Sequence, residues 1–382
     1  MEFILNEDRD MSENRIYFVD VTNRDGVQTS RLGLAKLEKT IINLMLDDMG
    51  ITQSEFGFPT TQHELNYLNG NLELVRRGAI KKTKLSGWMR GIASDVESSL
   101  KNVPELKYVN LSQSTSEQMI TGKYQGKKTP DDIIKMTKEA VECAIDKGAK
   151  IIGVNAEDAS RSDIDFLIKY ALEAKKSGAH RFRYCDTLGF EDPKTTYDRI
   201  YKIAKATNMP IEMHFHNDLG MATACSVMGA RAAIDAGVDA YINTAINGMG
   251  ERAGNADLVS CLLACLKSAG FKGKYKIDEN IKLDRAWHLA KYTAYAFGVN
   301  IPINQPAVGD NAFAHESGIH ADGALKDRRN YELYDFEELG RGEPEIIETG
   351  RMITTGEYGG IKGFRNVYNT LELECKDEPE AR

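Results

Sequence analysis

The sequence has no apolar run of the roughly 18–20 residues that a membrane-spanning helix needs. It has no block of lysines and arginines long enough to predict a nucleic-acid or membrane surface, and its formal net charge is -8. Its six cysteines are scattered along 382 residues without a Cys-x-x-Cys pair, which is typical of reduced thiols. The acidic N-terminus lacks the basic and then apolar order of a signal peptide. These absences predict a cytoplasmic protein that acts on small molecules, with no nucleic-acid or membrane partner.

Short apolar runs rich in β-forming residues recur along the first two thirds of the chain and alternate with amphipathic stretches of helical length. Eight such alternations over about 250 residues predict an α/β fold of the (β/α)8 TIM-barrel type. A doubly wound open sheet is the alternative, but no Gly-x-Gly-x-x-Gly follows the first strand. The predicted strands are 16–22, 51–58, 84–90, 108–114, 151–158, 181–187, 211–218 and 240–247.

The alternation ends near residue 275, where a further helical pattern is followed by a long stretch with no barrel strand. We therefore predict three segments. They are an N-terminal extension over 1–15, a catalytic barrel over 16–274, and a C-terminal helical subdomain over 275–382 that packs near the barrel mouth as a lid or dimerisation element.

Polar residues cluster where the predicted strands end. In a (β/α)8 barrel these carboxyl ends share one face, which carries the functional groups. Arg90, which ends strand three, is a candidate for a substrate carboxylate, or equally a surface ion-pair partner. The other candidates are Arg24, Asp25 and Gln28 after strand one, Glu157 after strand five, Thr187 after strand six, His214 and His216 on strand seven, and Asn247 after strand eight.

The His214-x-His216 pair is the sharpest signal for chemistry. Residues two apart on a strand share a face, so both imidazoles are directed at one point. The alternative to a metal site is that both histidines are polar residues with ordinary hydrogen bonds at a strand end. Asp25 and Asn247 add oxygen ligands, because strands one, seven and eight are neighbours once a barrel closes. Mixed nitrogen and oxygen ligation suits Mn²⁺, Mg²⁺, Co²⁺ or Zn²⁺.

Other candidates each have a structural alternative. Arg24 is either a catalytic cation or a buried structural one. Glu157 either faces the substrate or caps the following helix. Thr187 either donates to a carboxylate or occupies a turn. His320, flanked by glycines, is an acid/base candidate.

The stretch Asn247–Asn255 is rich in glycine, and its backbone can approach a ligand closely at Gly248 and Gly250. It is not a phosphate-binding P-loop, because no Lys-Ser/Thr follows at the right distance.

Four motifs in this order resemble the Claisen-condensing branch of the DRE-TIM metallolyases, which includes isopropylmalate, homocitrate and Re-face citrate synthases. The resemblance runs from about residue 16 to residue 370. The motifs are D-x-T-x-R-D-G-x-Q (20–28), H-x-H-N-D-x-G (214–220), N-G-x-G-E-R-x-G-N (247–255) and S-G-I-H-x-D-G (317–323).

The resemblance implies an acyltransferase that condenses acetyl-CoA with a 2-oxo acid at a divalent metal, of which Mn²⁺ is the one we expect. It implies a homodimer in which the C-terminal subdomain reaches over the partner's barrel. The implied roles are metal binding by Asp25, His214 and His216 with Asn247 nearby, enolate stabilisation by Arg24, substrate contact by Glu157, Thr187 and Gln28, proton abstraction by His320, and a supporting role for Tyr331.

Two departures bear on the substrate. Asn23 stands where the family usually has leucine, and Gly153 stands where lysine-pathway homocitrate synthases have a substrate-binding arginine. The segment after strand two is polar (His63, Asn66, Tyr67, Asn69, Asn71), which favours a dicarboxylate over the apolar substrate of isopropylmalate synthases. Strand one and this segment look most like Re-face citrate synthases, so we expect oxaloacetate as the substrate, with 2-oxoglutarate as the alternative.

Two further alternatives differ in reaction or in class. A retro-Claisen lyase such as hydroxymethylglutaryl-CoA lyase would carry a cysteine in the glycine-rich loop, and residues 243–256 contain none. A non-catalytic sensor of 2-oxo acids would be expected to lack Arg24, Asp25 or His320, and all three are present.

Overall fold

The computed structural model describes residues 14–342, 352–353, 360, 362–363 and 365. Eight parallel strands form a closed barrel in chain order, to which a short ninth strand is added. The strands are β1 (Arg15–Asp20), β2 (Gln53–Gly57), β3 (Lys84–Arg90), β4 (Tyr108–Ser114), β5 (Ile151–Glu157), β6 (Arg181–Asp186), β7 (Ile211–Phe215), β8 (Ala240–Thr244) and β9 (Lys276–Ile277).

Closure of the sheet decides between the two predicted topologies. Strand β1 pairs with β2 through Val19 and Gln53. It also pairs with β8 from Ile16 and Ala240 onwards. A doubly wound sheet would leave two open edges, so the predicted TIM barrel is confirmed and the alternative is excluded.

The helices follow the strands as the alternation predicts, with one addition. Helix α4, which lies between β4 and the next long helix, was not predicted. The α-helices of the barrel unit are α1 (Lys36–Met49), α2 (Gln62–Arg76), α3 (Ala93–Asn102), α4 (Glu117–Tyr124), α5 (Pro130–Asp146), α6 (Ile164–Lys176), α7 (Pro193–Thr207), α8 (Ala222–Asp235) and α9 (Leu258–Lys267).

Local sequence explains where several of these helices begin and end. Helix α5 starts with a capping box at Thr129, whose hydroxyl accepts from the Asp132 amide, followed by Pro130 at a position that needs no amide donor. Helix α1 ends at Gly50, whose left-handed φ of 79° costs little without a Cβ. No helix in the described part of the chain is both long and apolar enough to cross a membrane.

The barrel separates an apolar layer from a polar interior. On β6, Phe182 points outward, with its ring 6.3 Å from that of Tyr170 on α6. Arg183, the next residue, is buried and forms ion pairs with Glu55 and Glu212 from β2 and β7. The alternation of a strand therefore sends apolar side chains to the helices and charged ones into the barrel.

The chain divides into two compact units, 1–281 and 282–382. We predicted the boundary at 275, but β9 pairs with β1 at Arg15 and Ile16. The Thr52 hydroxyl also donates to Asp278 at 2.6 Å, so the chain stays attached to the barrel beyond 275. Residues 1–13 of the predicted extension lie outside the described residues.

The second unit contains the helices α10 and α11 and a pair of two-residue strands in its described part. Its placement near the barrel mouth stays a prediction. The elements are α10 (Ala286–Phe297), β10 (Ala314–His315), α11 (Gly318–Lys326) and β11 (Met352–Ile353).

Candidate metal centre and active site

Three predicted metal ligands converge at the carboxyl ends of β1 and β7. Asp25 Oδ2 lies 3.5 Å from His214 Nε2 and 4.0 Å from His216 Nε2. All three potential ligand atoms lie within 4.8 Å of one another, and all three residues are buried. Two imidazole nitrogens and a carboxylate oxygen at this spacing form a donor set that a divalent transition metal accepts.

The protonation states of these residues also fit metal binding. Burial lowers the pKa of His214 to about 3, which outweighs the attraction of Asp25. Burial likewise lowers the pKa of His216. Burial would raise the pKa of Asp25, but Arg24 and the two histidines hold it well below its usual range. At neutral pH the site therefore offers two neutral imidazoles and one carboxylate, which are the forms that bind a metal.

The amide that contacts the Asp25 carboxylate belongs to Asn255, whereas the sequence analysis placed Asn247 near the metal. Asn255 Nδ2 donates to Asp25 Oδ2 at 2.8 Å and to the carbonyl of Met249 at 3.0 Å. Asn247 has a left-handed backbone (φ 57°) in the turn after β8 and does not line the cavity. Asn255 closes the same motif, and the role of Asn247 at the metal stays a prediction.

Gly250 makes room for this amide. It has a φ of 155°, and a Cβ there would lie 2.2 Å from Asn255 Nδ2. Its amide also donates to the Thr29 hydroxyl at 3.0 Å. Gly248 and Gly250 were predicted to let a ligand approach the backbone closely. At Gly250 the group that approaches in the structure is the Asn255 amide.

Arg24 lies between the metal site and the barrel interior. Its Nη1 is 2.8 Å from Asp25 Oδ1, and its Nε is 2.6 Å from Glu55 Oε1. The guanidinium carbon is 5.5 Å from the centre of the Trp88 ring. These contacts fix the Arg24 guanidinium next to the proposed metal ligand Asp25. The sequence analysis had named Arg24 as a candidate catalytic cation.

Below Arg24 lies a buried ionic network that the sequence analysis missed. Arg183 binds Glu55 and Glu212, while Asn110 Nδ2 donates to Glu55 at 2.8 Å and Asn243 Nδ2 to Glu212 at 2.7 Å. Burial would raise the pKa of Glu55, but Arg183 and then Arg24 lower it to about 2. Glu55 is therefore ionised, and the contacts of Glu55 and Glu212 fix the position of the arginine side chains.

Glu157 ends β5 and has two partners. Lys123 Nζ lies 2.8 and 2.6 Å from its two carboxylate oxygens, and the Ser114 hydroxyl donates to it at 2.5 Å. Thr187 lies nearby on the next strand end, where its hydroxyl accepts from the Asp158 amide at 2.9 Å. That acceptance leaves the Thr187 hydroxyl proton available to a ligand.

A cavity of about 250 Å³ joins these groups at the barrel mouth. Arg90 is absent from its lining, because the guanidinium is exposed and paired with Asp95 at 2.5 Å. The cavity is lined by Arg24, Asp25, Gln28, Trp88, Ser112, Asn155, Glu157, Arg183, Cys185, Thr187, His214, His216, Glu251 and Arg252.

The polar segment after β2 does not face this cavity. Asn71 and Tyr67 are buried against α1, where Asn43 Nδ2 donates to both at 3.0 Å. Asn23 joins the same network by donating to Asn43 Oδ1 at 2.9 Å. Tyr67 and Asn71 therefore satisfy polar partners between helices, so the polarity of these two side chains gives no support for a dicarboxylate substrate.

The second unit brings together the two candidates that the sequence placed there. The rings of His320 and Tyr331 stack with centroids 4.2 Å apart. A Cβ at Gly323 would lie 2.3 Å from the Tyr331 ring, so this glycine allows the ring to pack on α11. His315 is hydrogen-bonded to Glu332 at 3.1 Å, which gives this histidine a structural partner within the second unit.

Comparisons with known proteins match both units of the chain. The family model HMGL-like matches residues 15–292, and the model Homocitrate synthase post-HMGL domain-like matches residues 307–381.

Three curated relatives cover nearly the whole chain. The Citrate (Re)-synthase of Dehalococcoides mccartyi is 57% identical over 96% of this chain and 89% of its own. The 2-isopropylmalate synthase 2 of Caldanaerobacter subterraneus is 39% identical over 92% and 85% of the two chains. The homocitrate synthase 1 of Nostoc is 36% identical over 93% and 86%.

Solved structures support the fold alone. The HMG-CoA lyase of Brucella melitensis has a TM-score of 0.58 at 17% identity, covering 75% of this chain and 99% of its own. The hydroxymethylglutaryl-CoA lyase of Pseudomonas aeruginosa has a TM-score of 0.59 at 16% identity, covering 76% and 95% of the two chains.

Proposed function

The chain belongs to the HMGL-like family, and within that family we propose that it is an acyltransferase that condenses acetyl-CoA with oxaloacetate to give citrate and CoA. The resemblance drawn from the four motifs is confirmed by the family models and the relatives. The observation that carries the proposal is the Asp25, His214 and His216 cluster beside Arg24. The 57% identity to a Citrate (Re)-synthase supports the choice of substrate.

In this proposal Asp25, His214 and His216 hold a divalent metal, and we propose Mn²⁺. When bound, the metal would polarise the keto and carboxylate oxygens of the oxo acid as a Lewis acid. Arg24 is fixed by two carboxylates and so presents a preorganised cation for the charge of the acetyl-CoA enolate.

The remaining roles concern the two substrates. The His320 imidazole accepts a proton from the acetyl methyl group, and Tyr331 supports that ring. Thr187 and Gln28 offer donors to the oxo acid, and Glu157 faces it. The methyl carbon then bonds to the keto carbon, and water cleaves the thioester, which releases CoA and makes the reaction irreversible.

One structural detail favours oxaloacetate over 2-oxoglutarate. A Cβ at Gly153 would lie 2.0 Å from Asn110 Oδ1. Asn110 is buried and donates to Glu55, so it cannot move without disturbing the ionic network. The arginine that lysine-pathway homocitrate synthases carry at this position therefore has no room here.

We expect kcat/KM for oxaloacetate to exceed that for 2-oxoglutarate by about tenfold or more, since one methylene in a pocket is worth about 1–3 kcal/mol. Initial rates of citrate formation and CoA release with each oxo acid measure the ratio. A reaction without oxo acid corrects for thioester hydrolysis. The position of label in citrate made from labelled acetyl-CoA reports attack on the Re face. A higher kcat/KM with 2-oxoglutarate would make the chain a homocitrate synthase.

We also propose a homodimer whose active sites use residues of both chains, because His320 lies in a separate compact unit from the metal cluster. The variants His320→Ala and His214→Ala should each be inactive alone. After subunit exchange, their mixture should regain one active site per heterodimer. Exchange is verified by mass spectrometry of differently tagged chains, and a mixture that exchanges but stays inactive would contradict shared sites.

A further inference from the structure

Lys123 is the only side-chain cation within 4.0 Å of Glu157 among the residues that the structure describes. Its ammonium contacts both carboxylate oxygens, at 2.8 and 2.6 Å. Ser114 donates to one of the same oxygens, so the plane of the carboxylate is fixed from two sides. Lys123 does not line the cavity, whereas Glu157 does. The lysine therefore reaches the cavity only through the glutamate.

The helix that carries Lys123 is anchored at both ends. Ser116 is the N-cap of helix α4: its hydroxyl accepts from the Met119 amide and also donates to Asp158 at 2.5 Å. At its other end the Tyr124 hydroxyl donates to Gln113 at 2.8 Å. Asp158 follows β5 and Gln113 lies on β4, so the strand that ends in Glu157 and its neighbour determine where Lys123 lies.

An ordinary surface ion pair is the plain alternative, because the Lys123 side chain is 53% exposed. Such pairs contribute little to stability. The environment of Glu157 differs from an ordinary surface, however, because its carboxylate faces a cavity proposed to take a dianion. The other charged groups that line this cavity are Arg24, Asp25, Arg183, Glu251 and Arg252.

The charge balance shows what Lys123 changes. Arg24 and Arg183 are already paired with Asp25, Glu55 and Glu212. Arg252 is paired with Asp218, and Glu251 adds a further carboxylate to the lining. Without Lys123, Glu157 would present an uncompensated negative charge to an anionic oxo acid, and its side chain would lose the contact that orients it.

We propose that Lys123 is a positioning residue for the oxo acid, acting through Glu157 by neutralising and orienting its carboxylate. This inference rests on the proposed function, because it takes the oxo acid to bind in the cavity that Glu157 lines. It assigns the helix between β4 and α5 a role in the reaction.

A double-mutant cycle tests the inference on the metal-loaded enzyme. The variants are Lys123→Met, Glu157→Gln and their combination, with kcat and KM measured for each substrate separately. We expect Lys123→Met to lower kcat/KM for the oxo acid by about tenfold, with less than about a twofold further loss in the Glu157→Gln background, because residues that act through one another are not additive. The KM for acetyl-CoA should stay unchanged.

Two further variants separate positioning from folding. Lys123→Arg keeps the charge and should restore activity to within about threefold of wild type, since both cations can hold a carboxylate. Lys127→Met removes an exposed lysine just beyond the same helix and should have no effect. The melting temperature of every variant is measured in parallel.

The possible results distinguish the alternatives. Equal losses in both backgrounds would mean that Lys123 contacts the substrate itself, which overturns the inference. No loss in the wild-type background would leave only a surface ion pair, which also overturns it. The cycle uses whichever oxo acid has the higher kcat/KM, so a different substrate rejects the proposed oxaloacetate specificity alone. A protein that releases no CoA with any oxo acid rejects both proposals.

Discussion

Replacing His214 with alanine is expected to lower kcat/KM by at least about a thousandfold, as the loss of a ligand to a catalytic metal does. His214 and His216 supply the two nitrogens of the cluster, and a methyl group cannot substitute for an imidazole lone pair. The barrel should remain folded, because the ionic network below the site does not include His214. Steady-state kinetics measure kcat/KM, metal analysis measures the bound metal, and calorimetry measures whether the barrel remains folded.

The matched control is His63→Ala, which removes an exposed histidine from α2 and should leave both activity and metal content unchanged. Chelator treatment of the wild-type enzyme should reproduce the His214→Ala defect, and Mn²⁺ or Co²⁺ should reverse it in the wild type only. Full activity in a preparation verified to be free of metal would refute the metal requirement.

Replacing Arg24 with glutamine is expected to lower kcat by about 10²–10³-fold, the usual cost of losing one preorganised group that stabilises a developing oxyanion. The guanidinium is held by Asp25 and Glu55 through different nitrogens, so its charge lies at a fixed point beside the metal site. Arg24→Lys should recover little of the loss, because an ammonium on a flexible chain cannot reproduce this two-sided geometry.

A stability measurement accompanies the Arg24 variants. Glu55 keeps Arg183 and Asn110 as partners, so we expect a loss of about 1–3 kcal/mol in the free energy of unfolding, the range for a buried group that loses one partner. Arg77→Gln, at an exposed arginine beyond α2, is the control for a general loss of positive charge. A kcat within twofold of wild type would exclude Arg24 from enolate stabilisation.

The fold was predictable because its signals are local. A buried strand needs a short run of β-forming residues, and a helix packed on it needs an amphipathic stretch of matching length. These requirements recur eight times, and each predicted strand overlaps an observed one. The extra helix α4 and the strand β9 were missed because they are short and interrupt the regular alternation.

The convergence of the three proposed metal ligands was predictable for a topological reason. Parallel strands around a barrel end on one face, so Asp25 and the two histidines meet although they lie far apart in sequence. The ionic network was missed although a signal existed. Arg181 and Arg183 lie two residues apart on β6, and Glu212 and His214 lie two residues apart on β7. Residues at this spacing share one face of a strand, which is the pattern of side chains that point into the barrel.

Two features could not be assigned from the sequence because they depend on which elements face each other. The pairing of Lys123 with Glu157 depends on where α4 packs, and its helical pattern does not specify that. The polar residues after β2 could equally line a cavity or satisfy one another, and only the packing of α2 against α1 shows that Tyr67 and Asn71 do the latter.

By itself, the sequence determined the barrel, the face that carries the candidate site and the three side chains that meet there, because strand alternation and strand polarity are local and repeat around the fold. Only the tertiary structure decided which partners set the charge of those side chains. Arg183 meets Glu55 across 128 residues of chain, and Asn255 meets Asp25 across 230. Contacts of that range depend on the closure of the whole barrel and leave no periodic signal in the sequence around either partner.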